Sequence, residues 1–151
     1  VTAMNKLFTE LDTKKCQTAL EILKSDTPLF QGWTKPELIK LSEYLKVITY
    51  QKNVTILTRF EIPDYLGIVI TGRLRVQEKT KNVGYLSVGD LIGYMGLVDL
   101  PGAKINQFEI VGDTDGFIGI IPLIDLTKII FKRDATIGFK IVETAAKKAL
   151  N

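Results

Sequence analysis

Residues 65–76 read YLGIVITGRLRV, and this stretch decides the class of fold. It opens with an apolar run from Tyr65 to Ile70, passes through a turn at Gly72, and then alternates basic and apolar residues as far as Val76. Runs of this kind around a glycine are typical of two antiparallel strands joined by a tight turn. The stretch therefore predicts a β-hairpin that turns at Gly72.

Further short strands are predicted on both sides of this hairpin. Alternating or β-branched runs, separated by turn formers, cover residues 47–50, 54–57, 83–87, 108–112 and 117–121. Many short strands at such spacing indicate a sandwich, barrel or roll. The apolar spacing before and after them is helical. The sequence thus predicts one mainly β domain with flanking α-helices, divided into a helical segment at 1–46, a roll at 47–121 and C-terminal helices at 122–151.

Two of the predicted helices have clear signals. Thr34 is followed three residues later by Glu37, which is the pattern of a capping box, so a helix is expected to begin there. The last helix repeats apolar residues at helical spacing, at Ile137, Ile141 and Ala145. Both helices are therefore expected to pack one face against the rest of the domain.

The composition excludes several kinds of active site. The chain has no histidine and a single cysteine, Cys16. Ser–His–Asp and Cys–His nucleophiles are therefore absent in their usual forms, as are zinc sites made of cysteine and histidine. One thiol forms no intramolecular disulfide, which agrees with a cytoplasmic setting. We expect no catalysis and no bound metal, and we interpret Cys16 as a semi-buried helical residue.

The charges and the hydropathy do not indicate a nucleic-acid-binding or membrane-inserted protein. The 20 basic and 17 acidic residues give a net charge of +3, and the two signs are interspersed. Nucleic-acid-binding domains usually gather their basic residues on one face. No apolar run approaches the roughly 18 residues of a membrane-spanning helix, and the first residues lack the pattern of a signal peptide. With its first methionine at position 4, the chain is expected to be part of a longer protein.

Three stretches, taken in order, resemble the cyclic nucleotide-binding domain family. Residues 28–32 (PLFQG) and 36–41 (PELIKL) resemble the leading helices of these domains, residues 65–76 their central hairpin, and residues 86–93 (LSVGDLIG) the approach to their phosphate-binding cassette. The resemblance implies an antiparallel β-roll of the jelly-roll type, a regulatory module, and cAMP or cGMP as the possible ligand with no other cofactor. Another jelly roll, such as a cupin, stays open, although metal-binding cupins use histidines that this chain lacks.

The resemblance also indicates where a cyclic nucleotide would bind. In the family, a short helix points its backbone amides at the cyclic phosphate, an arginine clamps the phosphate, and a glutamate accepts a hydrogen bond from the ribose 2′-hydroxyl. On this sequence, the corresponding ligand-binding positions are Gly93, Tyr94, Met95, Gly96, Leu97, Lys104, Asn106 and Gln107. The two glycines keep a close approach of the backbone available.

The two side chains that would grip the nucleotide are replaced. Tyr94 stands at the glutamate position, where it brings greater bulk and no charge. The arginine position falls near Asn106, and no arginine occurs in residues 76–132. Lys104 is the only cation in residues 97–111, and a lysine does not reproduce the planar, two-pronged grip of an arginine. The sequence therefore predicts weak or absent binding of cAMP and cGMP.

Three functions remain open at this point. The first is a non-catalytic regulatory or interaction module with a degenerate cassette, which binds a protein partner or the rest of a longer chain. The second is a functional cyclic nucleotide sensor, in which the ligand shifts a hinge at residues 122–131 and the final helix. The third is the sensor part of a transcription regulator, whose helix-turn-helix would have to lie beyond residue 151. None of the three involves nucleic acid binding by these residues or insertion into a membrane.

A few other residues need an interpretation. Glu61 and Asp64 are interpreted as polar loop residues, because no acid or base at a defined spacing accompanies them. Trp33 is predicted to pack in the core under the leading helices, the alternative being an exposed aromatic that binds a partner. Gly67 and Gly84 interrupt strand patterns, which predicts a bulge or a close backbone approach at each.

Overall fold

The computed structural model describes residues 20, 30–59, 61, 63–93 and 108–150, with the backbone alone at residues 148–150. Within these residues, eight strands form two four-stranded antiparallel sheets, and helices precede and follow them. The predicted mainly β fold with flanking helices is therefore confirmed. None of the helices in the described part of the chain is long and apolar enough to cross a membrane.

The strands are short, and each sheet has an order different from the order in the chain. Their bounds are β1 Lys46–Tyr50, β2 Thr55–Leu57, β3 Tyr65–Thr71, β4 Leu74–Glu78, β5 Lys81–Leu86, β6 Leu91–Ile92, β7 Glu109–Gly112 and β8 Gly116–Pro122. The first sheet has the order β1-β8-β3-β6 and the second has the order β2-β7-β4-β5. The chain thus crosses repeatedly between the two sheets, which places them face to face as the walls of a roll.

Helix α1, Lys35–Tyr44, begins with the predicted capping box. The Glu37 amide donates to the Thr34 hydroxyl, and the Thr34 amide donates to the Glu37 carboxylate at 2.8 Å. Two amides that the helix itself cannot pair are thereby satisfied. Leu38 and Leu41 are buried on one face, so α1 packs against the roll as its spacing predicts.

Helical structure returns after β8 in four consecutive pieces. Their bounds are α2 Leu123–Asp125, a π-helix Leu126–Ile130, α3 Phe131–Arg133 and α4 Ala135–Leu150. The predicted buried face of α4 is confirmed, since Ile137, Ile141 and Ala145 are at most 4% exposed. Two leucine and isoleucine positions of the π-helix, Leu126 and Ile130, are also buried. The C-terminal segment is therefore anchored to the core from the π-helix as far as Ala145.

Strand β3 separates two hydrophobic cores because successive side chains point to opposite faces of a strand. Tyr65 and Val69 face the second sheet, whereas Leu66, Ile68 and Ile70 face the helices. The core inside the roll consists of Ile48, Tyr50, Ile56, Leu57, Tyr65, Val69, Leu74, Ile92, Ile110, Ile118 and Ile120. The core under the helices includes Trp33, Leu38, Leu41, Leu66, Ile68, Ile121, Leu126, Ile130, Ile137 and Ile141.

Polar contacts join α4 to the leading part of the chain above the second of these cores. The Trp33 indole donates to the Thr144 hydroxyl at 3.0 Å, and the Lys140 ammonium lies 2.7 Å from the Glu37 carboxylate. Hydrogen bonds from Lys140 and Thr34 lower the pKa of Glu37, so this carboxylate is charged at neutral pH. Trp33 itself is 4% exposed, which confirms the prediction that it packs in the core.

Two local features differ from the sequence-based picture. The two-residue strand β6 was not predicted as a strand, because two residues are too few for an alternating pattern to appear. The predicted helix after Pro122 contains a π-helical turn at Leu126–Ile130, which has the same apolar residues as an α-helix would and so gives no separate signal. Near Gly84 the pairing of β4 with β5 shifts register between Val76 and Gln77, so the predicted bulge lies beside this glycine.

The turn between β3 and β4 requires glycine at position 72. Gly72 has φ of +84°, and a Cβ there would lie 2.5 Å from both the Asp115 carbonyl oxygen and the Tyr50 hydroxyl. Both the backbone conformation and the neighbours therefore exclude a side chain. The predicted turn at Gly72 is confirmed, but the predicted hairpin is wrong, because β3 pairs with β6 and β8 in the first sheet whereas β4 pairs with β5 and β7 in the second.

We expect Gly72→Ala to lower the free energy of unfolding by about 2 kcal/mol or more, because it combines a strained φ with overlap against backbone. Gly84 provides a matched control, since a Cβ there has no neighbour within 4 Å. Gly84→Ala should change stability by no more than about 0.5 kcal/mol. Urea unfolding of both variants measures the difference, and equal effects would contradict the described turn.

Candidate functional site

Of the predicted ligand-binding positions, Gly93 lies in the described part of the chain. Tyr94, Met95, Gly96, Leu97, Lys104, Asn106 and Gln107 lie outside the described residues, as does Cys16. Gly93 follows β6 directly and has φ of +79°. A Cβ at this position would overlap the Tyr65 carbonyl oxygen and lie 3.2 Å from Pro63 Cβ. The backbone at the start of the predicted cassette therefore lies against β3, in a conformation that favours glycine.

The roll interior around Gly67 is lined with hydrocarbon. An added Cβ on Gly67 would lie 3.4 Å from the Tyr65 ring, 3.5 Å from Ile92 and 3.7 Å from Ile120. These are ordinary van der Waals distances, so Gly67 leaves room for about one methyl group between these side chains. The predicted close approach at Gly67 is thus an approach of side chains, and β3 has no register shift there.

Tyr65 contributes an unusual polar group to this apolar interior. The residue is 3% exposed, and its hydroxyl has no hydrogen-bond partner among the described residues. Burial raises the pKa of Tyr65 far above the ordinary value, and the carboxylates of Glu61 and Asp64 raise the pKa further. The surroundings of this hydroxyl are therefore apolar and negative, and both properties disfavour a phosphate anion.

Arg73, just before β4, and Arg75, within β4, form polar contacts on the outside of the second sheet. Arg73 Nε donates to Asp113 Oδ2 at 2.7 Å, and the Arg73 guanidinium lies 4.3 Å from the centre of the Tyr85 ring. Arg75 donates to the Gly112 carbonyl at 3.0 Å and to the Asn53 side chain at 2.9 Å. Through these hydrogen bonds and ion pairs, the two arginines connect neighbouring turns to the sheet. Their side chains therefore have structural contacts.

The charge state of Asp113 follows from the same contacts. Hydrogen bonds from Arg73, with a smaller contribution from Arg75, lower the pKa of Asp113 below its ordinary value. The carboxylate is ionised at neutral pH and compensates the charge of the two arginines. Glu109, an acidic residue close in sequence to the predicted cassette, accepts a hydrogen bond from the Thr55 hydroxyl at 3.0 Å.

A small cavity of about 30 Å³ lies on the other side of β3, between the first sheet and the helices. A volume of this order has room for about one or two water-sized molecules, far less than a nucleotide requires. Its lining is apolar except for Thr144, whose hydroxyl already accepts from Trp33. The residues around it are Phe30, Trp33, Leu41, Leu45, Leu66, Gly67, Ile68, Leu91, Ile121, Ile141, Thr144 and Ala145.

The described residues contain no cluster of three or more His, Cys, Asp or Glu side chains that could hold a metal ion.

Glu61, interpreted above as a loop residue, accepts a hydrogen bond from the Thr58 amide at 3.1 Å, which closes the turn between these two residues. Asp64 contributes its carbonyl oxygen to the Leu123 amide at 2.9 Å. Both acidic residues thus have structural contacts at the loop before β3.

Sequence reasoning did not single out Tyr65 or the link from the two arginines to Asp113. An aromatic residue at the start of an apolar strand gives no sign of whether its hydroxyl is paired. The contacts of Arg73 and Arg75 with Asp113 join residues that are 40 and 38 positions apart in the sequence. The alternation of arginine and apolar residues at 73–76 could have indicated this pair, because alternate residues of an extended chain point to the same side.

Comparison with solved structures gives the class of the fold. The structure of a cyclic nucleotide-binding domain from Methylobacillus flagellatus KT is 18% identical, with a TM-score of 0.74 over 97% of this chain and 84% of that one. The Thermus thermophilus catabolite activator protein is 21% identical, with a TM-score of 0.62 over 82% of this chain and 58% of its own length. No protein-family profile matches this chain, and no curated protein does.

A third solved structure, the regulatory domain of Toxoplasma gondii PKA with cAMP, is 14% identical and has a TM-score of 0.62. The match covers 89% of this chain and 51% of that chain, so this chain spans about half its length. The fold is that of the cyclic nucleotide-binding domains. The resemblance predicted from the sequence is thereby confirmed at the level of the fold.

The unpaired hydroxyl of Tyr65 leads to a stability prediction with an internal control. Tyr50 is also buried, but its hydroxyl donates to the Thr71 carbonyl at 2.7 Å. Burial raises the pKa of Tyr50 to about 12, so both phenols are protonated at pH 7. We expect Tyr50→Phe to lower the free energy of unfolding by about 0.5–1.5 kcal/mol and Tyr65→Phe to leave it unchanged or raise it. Denaturant unfolding at pH 7 tests this order, and a larger loss for Tyr65→Phe would show that its hydroxyl is paired.

Proposed function

We propose that this chain is a non-catalytic regulatory or interaction module, built on the cyclic nucleotide-binding fold, whose pocket no longer binds cAMP or cGMP with useful affinity. The observation that supports this most strongly is the apolar core inside the roll, where Tyr65, Ile92 and Ile120 lie around Gly67. A phosphate placed against these groups would lose its hydration without gaining a charged partner.

The missing side chains give an estimate of the loss. The sequence offers Tyr94 where the family has a glutamate and Asn106 where it has an arginine. A hydrogen bond to a charged group contributes roughly 1.5–3 kcal/mol, so two such losses amount to about 3–6 kcal/mol. That is about two to four orders of magnitude in affinity, which would turn a micromolar site into a millimolar one. The two arginines near β4 do not compensate, since Arg73 and Arg75 are held by Asp113 and its neighbours.

The absence of catalysis is part of the same proposal. The sequence contains no histidine, and its single cysteine lies at position 16, far in sequence from the predicted cassette. The similar solved structures include regulatory domains rather than catalytic ones. A cytoplasmic location and a protein partner, or the remainder of a longer chain, complete the proposed function.

A functional sensor is the second candidate, and one observation favours it. The Gly93 backbone adopts a positive φ close to β3, as a turn that leads into a phosphate-binding helix would require. One of the similar structures was determined with cAMP, and another is a catabolite activator protein. In this candidate Lys104 would be the phosphate partner.

Thermal unfolding with and without cAMP distinguishes the two candidates. We expect about 100 µM cAMP to raise the melting temperature by less than about 1 °C, because a weak ligand occupies few sites. A ligand with Kd near 1 µM would instead add about 2.7 kcal/mol at that concentration, or roughly 5–10 °C for a domain of this size. A shift in that second range would support the sensor and contradict the degenerate pocket.

Restoring the two missing side chains should create a cyclic nucleotide site. We expect Tyr94→Glu combined with Asn106→Arg to bind a fluorescent cAMP analogue at least about tenfold more tightly than either single variant, because the two contacts act on one ligand and couple favourably. Glutamate alone would place an unpaired negative charge near the phosphate, and arginine alone would leave the ribose without a partner. Fluorescence titration at fixed salt concentration measures the affinity of the parent, the two single variants and the double variant, which together form a double-mutant cycle.

Two further variants control this experiment. Thr80→Arg in the Tyr94→Glu background adds the same charge at an exposed hairpin position, so it should not restore binding. Lys104→Arg in that background tests the alternative position for the phosphate clamp. If the folded double variant and this alternative both fail to bind the analogue, the roll has lost the space for a nucleotide as well as its clamps.

A further inference from the structure

Six residues of the C-terminal helical segment form a surface that is both basic and apolar. Three large apolar side chains are exposed there, with exposed fractions of 59% at Ile124, 37% at Ile129 and 66% at Phe139. Three cations accompany them and are also exposed. This basic apolar surface consists of Ile124, Lys128, Ile129, Lys132, Arg133 and Phe139.

The members of this surface are neighbours in the fold. Ile124, Lys128 and Lys132 follow one another at intervals of four residues, about one helical turn, and all three side chains are exposed on the α2–α3 segment. Phe139 joins them from α4 because its ring meets the Phe131 ring edge to face, with 5.5 Å between the ring centres. Gly138 makes this contact possible, since a Cβ there would lie 2.8 Å from the Phe131 ring.

The acidic residues of the same segment are already occupied by other partners. Asp125 forms an ion pair with Lys46 at 3.2 Å, and the Asp134 carboxylate accepts a hydrogen bond from the Tyr44 hydroxyl. Glu143 pairs with Lys147 at 3.2 Å. In the described part of the chain, no acidic side chain forms an ion pair with any of the three cations of the surface. Asp134 remains a negative charge beside Arg133, but among the described residues of this segment the three cations outnumber it, so the surface keeps an excess of positive charge.

Scattered single apolar side chains and solvated charges are normal on protein surfaces. Here, however, three large apolar groups and three cations without an acidic partner occur together within residues 124–139. The other exposed large apolar residues lie on or beside the second sheet, and there Tyr85 is covered by the Arg73 guanidinium. Compared with the exposed apolar residues of the second sheet, the basic apolar surface combines positive charge with exposed apolar groups, and a partner could complement both.

We propose that the basic apolar surface binds an acidic amphipathic helix of a separate protein partner. This inference rests on the proposed function as an interaction module and names its contact surface. The helical backbone beneath the surface is hydrogen-bonded internally, so it cannot accept an added strand, and a partner must contact it through side chains. A helix with apolar residues on one face and acidic residues beside them matches both the exposed apolar groups and the three cations.

A lipid surface is the competing partner for basic and apolar groups. Adsorption to a bilayer depends on a large apolar area that lies in the interfacial plane. The surface presents three exposed large apolar side chains, one each in α2, the π-helix and α4. Such a limited apolar area favours a protein helix, whose own apolar residues can pack between these side chains.

A designed peptide tests the proposal directly. The probe is a fluorescein-labelled 18-residue helix with leucine at i, i+3, i+4 and i+7 spacing and glutamate at the flanking positions, and binding is followed by fluorescence anisotropy. We expect saturable binding that weakens as sodium chloride rises from about 50 to 300 mM, because exposed charge pairs are screened. A peptide of the same composition with scrambled leucine spacing should bind at least about tenfold more weakly.

Variants of the surface locate the contact. Lys128→Gln/Lys132→Gln/Arg133→Gln should weaken peptide binding by about tenfold or more and reduce its salt dependence. Phe139→Ser should also weaken it by about tenfold, since it removes the most exposed apolar group. Lys79→Gln/Lys81→Gln, at the exposed tip of the β4–β5 hairpin, is the matched control and should bind as the parent does. Circular dichroism and melting temperature verify that every variant is folded.

Three results would overturn the proposal: no saturable binding of the acidic peptide, equal binding of the scrambled peptide, or an equal loss in the hairpin control. Binding to phosphatidylcholine vesicles that contain phosphatidylserine, lost in the surface variants and without peptide binding, would assign the surface to a membrane instead. The failure of this inference is separable from failure of the proposed function, because the latter is read from the cAMP titration and the former from the peptide.

Discussion

The burial of β3 on both faces is the constraint on which the rest of the structure depends. Every residue from Tyr65 to Ile70 is buried, which is unusual for a strand of an antiparallel sheet. One face closes the roll against the second sheet, and the other provides the floor on which α1 and α4 pack. A change of register by one residue would move each side chain into the other core, so the strand fixes both halves of the domain together.

This double burial explains why the polar groups are distributed as they are. Among the described residues, the roll interior contains the unpaired hydroxyl of Tyr65, whereas the charged side chains of Arg73 and Arg75 lie outside and bind Asp113. The apolar face of α4 is joined at its edge by a polar contact from Lys140 to Glu37. The described part of the roll interior is thus a hydrophobic core between the two sheets.

The sequence predicted those parts of the fold that depend on local chemistry. The capping box at Thr34 and the turn at Gly72 could both be predicted, because each requires particular residues at fixed positions. The apolar run of β3, the alternation along β4 and the buried face of α4 could also be predicted from the sequence. The strand β6 and the π-helical turn Leu126–Ile130 were not, since neither changes the apolar pattern of the sequence.

The candidate site was predictable only in part, for a physical reason. The residue types at Tyr94 and Asn106 are enough to argue that a charged clamp is missing, because chemistry alone excludes it. The apolar neighbours of Gly67 and the grouping of Phe139 with the cations of the α2–α3 segment depend on contacts that the spacing of residues in the sequence does not show. Such contacts have no signature in one sequence.

The most direct test of a closed roll is the methyl spectrum of the protein labelled at isoleucine, recorded while cAMP is added to about 1 mM. Ile56, Ile92 and Ile110 report on the interior of the roll, and Ile137 and Ile141 under α4 serve as internal references. The account predicts that the roll methyl signals keep their positions throughout the titration. Saturable shifts at Ile92 and Ile110, complete at about 10 µM cAMP while the references remain fixed, would contradict it.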